Sequence, residues 1–160
     1  MKQLQSFEYQ LYDDISQLEE KDAALLQAAR TVTAEAYAPY SNFQVGAVIR
    51  LVNGQQVSGT NQENASFPAG ICAERTALSA ATVLYPNVPI DTIAISYHNL
   101  NGSSGHPISP CGICRQSLAE YEQRLQQPIR LILSGQSGQV YVIAAAGQLL
   151  PLSFSAKDME

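Results

Sequence analysis

A chain of 160 residues that is 46% hydrophobic and 14% charged can bury one core without disulfide staples, and it is too short for a multidomain machine. Nine Lys and Arg against 14 Asp and Glu leave a net charge of −5, and the basic residues are scattered from Lys2 to Lys157, which excludes an extended phosphate-binding surface. No apolar run reaches the roughly 20 residues of a membrane span, and the opening MKQLQSFEYQ lacks the apolar stretch of a secretory signal, so a cytoplasmic protein is expected.

No repeat, low-complexity tract or Gly/Ser linker divides the chain, which predicts one domain over residues 22–160 behind an N-terminal extension of residues 1–21. In the extension, Phe7, Tyr9 and Leu11 alternate with Glu8 and Gln10 as in a short strand, and an acidic run from Asp13 to Asp22 reads as a solvated face. Asp22 is a candidate N-cap for a helix marked by Leu25, Ala28, Ala29, Val32 and Ala36, which must stop before Pro39. Phe43, Val45, Ala47, Ile49 and Leu51 alternate in strand fashion, and Asn53-Gly54 predicts a two-residue hairpin turn into a partner strand near residues 55–60.

Residues 72–84, CAERTALSAATVL, form a buried Ala-rich helix on this reading, followed by a strand at 92–97 and a loop containing Asn101, Gly102, Gly105 and Pro107. Pro110 then opens a third helix, because a first turn tolerates the missing N–H. RLILS (130–134) and VYVIAA (140–145) complete the series. Helices alternating with near-continuous apolar strands predict an α/β three-layer sandwich with a mixed, roughly five-stranded sheet and helices on its faces.

Three cysteines cannot all pair within one chain, and a reducing compartment favours thiol or metal chemistry over disulfides. Cys72 falls at the start of the second helix; Cys111 and Cys114 fall at the start of the third, one turn apart and on one face. Three converging thiolates suit zinc and leave a fourth position for water, as in a catalytic site. A buried structural set or a reactive dithiol is the alternative. The histidines, His98 and His106, sit in a polar loop and read as solvent-exposed. Between residues 40 and 119 the only acidic residues are Glu63, Glu74 and Asp91, so Glu74 in an otherwise apolar helix start suggests a proton carrier beside the metal. Arg75 and Arg115, each next to one of these residues, are placed to offset the excess negative charge by hydrogen bonding to sulfur.

CAE (72–74) followed by PCGIC (110–114) resembles the zinc-dependent cytidine deaminase family, together with YAPYSNFQVGA (37–47), GTNQENAS (59–66), SPCGICRQ (109–116) and LLPLSF (149–154) in the same order. The three-cysteine form is similar to the small homotetrameric branch. The resemblance implies one Zn²⁺ per subunit on Cys72, Cys111 and Cys114, Glu74 as proton shuttle and Arg75 in a supporting position behind the ligands. It further implies that Asn61 and Glu63 bind the ribose hydroxyl, that Phe43 lines the base pocket, and that the backbone of Ala73 and Ser109 meets the pyrimidine edge and amino group. Phe154 resembles the aromatic that reaches into a neighbouring subunit's site. The implied reaction is hydrolytic deamination of cytidine and deoxycytidine to uridine and deoxyuridine with release of ammonia, in pyrimidine salvage. A different aminopyrimidine substrate, or a zinc-stabilised interaction module without activity, are the competing readings; polynucleotide editing is disfavoured by the scattered basic residues. Gln62 and Phe67 depart from the family pattern, and the His98–Ser109 loop is longer than in the shortest relatives.

Overall fold

The apolar runs of the second half of the chain become the middle of a sheet that is covered on both faces. The computed structural model describes residues 1–159; the last residue of the expected domain, 160, lies outside them. In chain order the elements are β1 (Tyr9–Tyr12), α1 (Glu20–Val32), β2 (Phe43–Leu51), β3 (Gln56–Thr60), α2 (Ala73–Leu84), β4 (Ile90–Asn99), α3 (Gly112–Leu125), β5 (Arg130–Ser134) and β6 (Val140–Ile143). The sheet runs β1-β6-β5-β4-β2-β3, and β4 with β5 is its one parallel pair, with α3 as the crossover between them. The sheet therefore has six strands rather than about five: the N-terminal alternation does form a strand, and it adds to the β6 edge.

Alternation along each strand sorts side chains into two cores. Ala47, Ile49, Ile93, Ile95, Leu131 and Leu133 face α2 and α3, while Val48, Ala94 and Ile132 face Leu25, Leu26 and Ala29 of α1. Burial on both sides is why β4 and β5 read as continuous apolar runs, and each Leu or Ile so buried contributes about 1.5–3 kcal/mol. On β1 the outcome differs. Tyr9 and Leu11 stay about half exposed at the sheet edge, with Tyr9 packed on Tyr141 at 4.9 Å, while Tyr12 turns to the α1 core.

Two local expectations change. Helix α1 starts at Glu20 with Glu19 at the N-cap, and Asp22 is 2% exposed instead of capping. Its carboxylate takes Arg130 at 2.6 Å and Arg50 at 3.2 Å, because a carboxylate carried inward on a helix start is tolerable only when paired. The β2–β3 connection is a three-residue loop, Val52–Gly54, closed by Gly54 N–H donating to the Leu51 carbonyl and by Leu51 N–H donating to Gln55. Only Gly54 of the Asn-Gly pair takes a positive φ, 84°, which is a type I turn ending in a left-handed residue rather than the two-residue form.

Gly59 on β3 fixes how closely α2 lies on the sheet. A Cβ there would sit 2.7 Å from the Ala73 carbonyl oxygen and 2.8 Å from the Ala77 Cα, so only glycine lets the first turn of α2 come down against the strand. No helix among the described residues is long and apolar enough to cross a membrane.

Candidate active site

The two helices whose starts carry cysteines point their N-termini at one place. Cys72 is the N-cap of α2 and Cys111 the N-cap of α3; both are extended, and neither side chain is spent on a capping hydrogen bond. Cys114 follows in the first turn of α3 and is fully buried. The three sulfurs lie within 4.8 Å of one another, with Cys72 to Cys111 at 3.7 Å and Cys111 to Cys114 at 3.4 Å. Tetrahedral zinc with Zn–S bonds of about 2.3 Å needs sulfurs about 3.8 Å apart, so the trio fits that ion with small adjustments. Both helix dipoles favour the thiolates it requires.

The thiols share their protons. Cys72 is brought down to about 6, mainly by the neighbouring Cys114 thiol against the opposing effect of burial, while Cys114 is pushed up by Cys72 and then by burial. Cys72 thus gives up its proton readily while Cys114 holds its own until a cation takes its place. Glu74, in the first turn of α2, is 5% exposed. Burial raises its pKa above the ordinary carboxyl value, against weaker opposition from its own backbone N–H and the Cys114 thiol.

A cleft of about 570 Å³ opens beside this centre. Its walls include Cys72, Ala73, Glu74, Asn61, Glu63, Ser109 and Cys111, so seven of the eleven expected site residues share one cavity, with Cys114 just behind. Among the described residues no Lys, Arg or His lines it; its only ionisable carboxylates are Glu63 and Glu74.

The wall carrying Asn61 and Glu63 is held by backbone on both sides. Gln62 exchanges N–H···O=C bonds with Ile71, and Tyr37 bonds Asn61 and Glu63. The Asn61 side chain accepts from Val45 N–H at 2.7 Å and donates to the Phe43 carbonyl at 2.8 Å, continuing the β2–β3 ladder. Glu63 accepts from the Tyr40 N–H at 2.8 Å, the Ser41 N–H at 3.3 Å and the Ser41 hydroxyl. The hydroxyl bond is the main reason its carboxyl is held below the ordinary value. The Gln62 side chain donates to Thr60.

Three expected residues stand apart. Phe43 is stacked on Tyr97, with ring centroids 4.8 Å apart, and does not line the cleft. Phe154 is 60% exposed on the C-terminal segment, its carbonyl accepting from Gln116. Arg75 is half-buried; its guanidinium makes no hydrogen bond among the described residues, though its charge favours the Cys72 thiolate. Arg115 does not reach sulfur at all: it donates to the carbonyls of Pro110 at 2.8 Å and Leu149 at 3.0 Å, tying the start of α3 to the C-terminal segment. Tyr40 and Ser41 were missed by sequence reading, where Pro39 marked only the stop of the first helix. Their use depends on a turn that puts Asn42 at φ 55° and aims two N–H groups at a residue 22 positions on.

A model of the cytidine and deoxycytidylate deaminase zinc-binding region matches residues 19–126. The cytidine deaminase of Halalkalibacterium halodurans is 37% identical over 135 residues, 84% of this chain and 95% of the relative. That of Mycoplasma genitalium is 37% identical over 100 residues, covering 62% of this chain and 72% of the relative. Among solved structures, the cytidine deaminase from Burkholderia pseudomallei superposes with a TM-score of 0.72 at 38% identity, over 86% of this chain and 100% of that one.

Proposed function

The chain belongs to the family of cytidine and deoxycytidylate deaminases with a zinc-binding region, and from that premise we propose that it hydrolyses the 4-amino group of cytidine and deoxycytidine, releasing ammonia and leaving uridine or deoxyuridine for pyrimidine salvage. One observation carries the reading: three thiols spaced for zinc and a buried carboxyl open together into a cleft of nucleoside size. Among the described residues no Lys, Arg or His side chain lines that cleft and its charged side chains are the carboxylates Glu63 and Glu74, which favours the neutral nucleoside over its phosphates.

Cys72, Cys111 and Cys114 hold the zinc, one ion per subunit, which when bound supplies the Lewis acidity that makes water a nucleophile near neutral pH. Glu74 handles the protons. Its buried carboxylate takes one proton from the attacking water and, with its raised pKa, holds it until N3 accepts it; it then takes the second proton from the hydroxyl now on C4 and passes it to the amine, which departs as ammonia and leaves the C4 carbonyl. Arg75 and the two helix N-termini offset the negative charge of three thiolates. On the substrate, Asn61 and Glu63 take the ribose hydroxyl, the backbone at Ala73 and Ser109 takes the pyrimidine edge and amine, and Phe43 supports the base pocket from outside the cleft lining through its stack with Tyr97.

The exposed Phe154, with Val83, Leu84 and Ile113 uncovered on α2 and α3, supports a homotetramer in which one subunit's C-terminal segment completes the next subunit's cleft. Residues 22–160 make the catalytic domain and 1–21 an extension that closes one sheet edge. Three free thiols favour the reducing cytoplasm.

The test is the ultraviolet change from cytidine to uridine on zinc-loaded protein, run beside Glu74→Gln. The variant is expected to keep its zinc and lose at least about 10²- to 10⁴-fold in turnover. Near-normal turnover in it removes Glu74 from the mechanism, and no change in the folded, zinc-loaded wild type overturns the reading.

A further inference from the structure

Tyr97 on β4 is 1% exposed. It pairs with Val45 in register and stacks on Phe43 at an interplanar angle of 11°, so all three stand on the side of the sheet that faces the cleft. A buried phenol needs a hydrogen-bond partner. Among the described residues Tyr97 has one: His106 Nδ1 at 3.2 Å from its hydroxyl, with the imidazole set edge-on to the ring at 5.7 Å.

His106 belongs to the loop between β4 and α3, three residues before Ser109 and five before Cys111. The far half of that loop is fixed independently. Ser104 Oγ accepts from Asn99 N–H at 2.9 Å, and the backbone of residues 104 and 105 lies so close to Gly135 and Gly138 that neither glycine has room for a Cβ. Between that anchor and the start of α3, residues 106–109 make a single hydrogen bond among the described residues, the one that joins His106 and Tyr97. Ile108 and Ser109 nevertheless form a wall of the cleft.

We infer that His106 is a positioning residue: by pinning residues 106–109 to the buried Tyr97, it sets where Ser109 meets the base, and so governs how the cleft tells an amino-bearing pyrimidine from its oxo product. This rests on the deaminase reading above. The imidazole touches no substrate; it acts through the loop. Its consequence is selective, because uridine has no amine for Ser109 to meet, whereas the ribose contacts through Asn61 and Glu63 come from a different segment of the cleft lining and are common to both nucleosides.

The experiment compares wild type with His106→Leu, which removes the imidazole partner; His106→Asn, whose side-chain amide can occupy the place of Nδ1; and Tyr97→Phe, which removes the hydroxyl. Each is assayed with zinc content verified. The size of one hydrogen bond predicts that His106→Leu raises KM for cytidine about five- to tenfold while the inhibition constant of uridine moves less than about twofold. His106→Asn is expected to recover most of the loss. Tyr97→Phe should shift KM in the same direction, and the double variant Tyr97→Phe/His106→Leu should be no worse than His106→Leu alone. Equal weakening of cytidine and uridine, or failure of asparagine to rescue, makes the contact ordinary loop packing and overturns the proposal. Should His106→Leu fold poorly, Tyr97→Phe deletes a single oxygen and decides the question. Wild-type turnover with an unchanged cytidine-to-uridine ratio in the variants sinks this proposal alone; absence of wild-type turnover sinks the deaminase reading and takes the proposal with it.

Discussion

Glu63 and Asp22 illustrate what a carboxylate means once its neighbours are known. Both stood out in the sequence, Glu63 as one of three acidic residues in an 80-residue stretch and Asp22 as the end of an acidic run, and neither signal named a partner. Glu63 is tied to the Ser41 hydroxyl and to two N–H groups of the same turn. Its pKa lies below the ordinary 4.5 chiefly through the Ser41 hydroxyl. A depressed folded value means that the stabilisation is complete above about 4.5 and is lost as the pH falls through the lower folded value. The difference in Tm between wild type and Ser41→Ala is therefore expected to be largest near neutral pH and to shrink below pH 4.5; a gap independent of pH would show that the Ser41 hydroxyl does not act on the charged carboxylate. Asp22→Ala is a stronger perturbation, since it leaves Arg50 and Arg130 facing each other without their shared anion. A loss of about 3 kcal/mol in urea unfolding is expected, the low end for a broken buried pair because Arg130 keeps some water.

At the scale of elements, most boundaries were legible because burial on one or both faces imposes a period on the sequence. The expected strand at 130–134 and helix over 72–84 match β5 and α2 to within a residue. Where period was ambiguous, the reading slipped: the β2–β3 loop turned out one residue longer than the Asn-Gly pair suggested, and β4 extends two residues beyond its expected span at each end. Gly59 had no visible purpose in the sequence, because what excludes a side chain there is backbone from a helix 14 residues on. Gly59→Val is expected to destabilise by about 1–3 kcal/mol by overpacking. It should also weaken zinc binding, because lifting the first turn of α2 moves Cys72 away from Cys111 and Cys114. Competition with a chromogenic chelator measures the second effect; loss of stability with unchanged zinc affinity would separate the helix seat from the metal centre.

For the whole molecule, the shared-site reading makes catalysis depend on assembly. Phe154 is too exposed to support its own subunit's core, so Phe154→Ala is expected to leave the Tm of the subunit nearly unchanged while raising KM for cytidine about five- to twentyfold, through loss of an aromatic contact in the neighbour's cleft. Sedimentation of a fully active monomer would refute that arrangement.

The sequence by itself determined the layered α/β architecture, the grouping of three cysteines at two helix starts and the carboxyl beside them. Each is written in local chemistry: hydrophobic period, cysteines one turn apart at helix starts, a carboxylate in an apolar stretch. Only the tertiary structure decided that Asn61 is engaged with the β2 backbone, that Phe43 leans on Tyr97 instead of lining the cleft, that Arg115 braces a carbonyl rather than a sulfur, and that a loop histidine is, among the described residues, the sole hydrogen-bond partner of a buried phenol. Those facts depend on which distant groups come within about 3 Å of each other, and a hydrogen bond is too short-ranged and directional to be read from spacing along the chain.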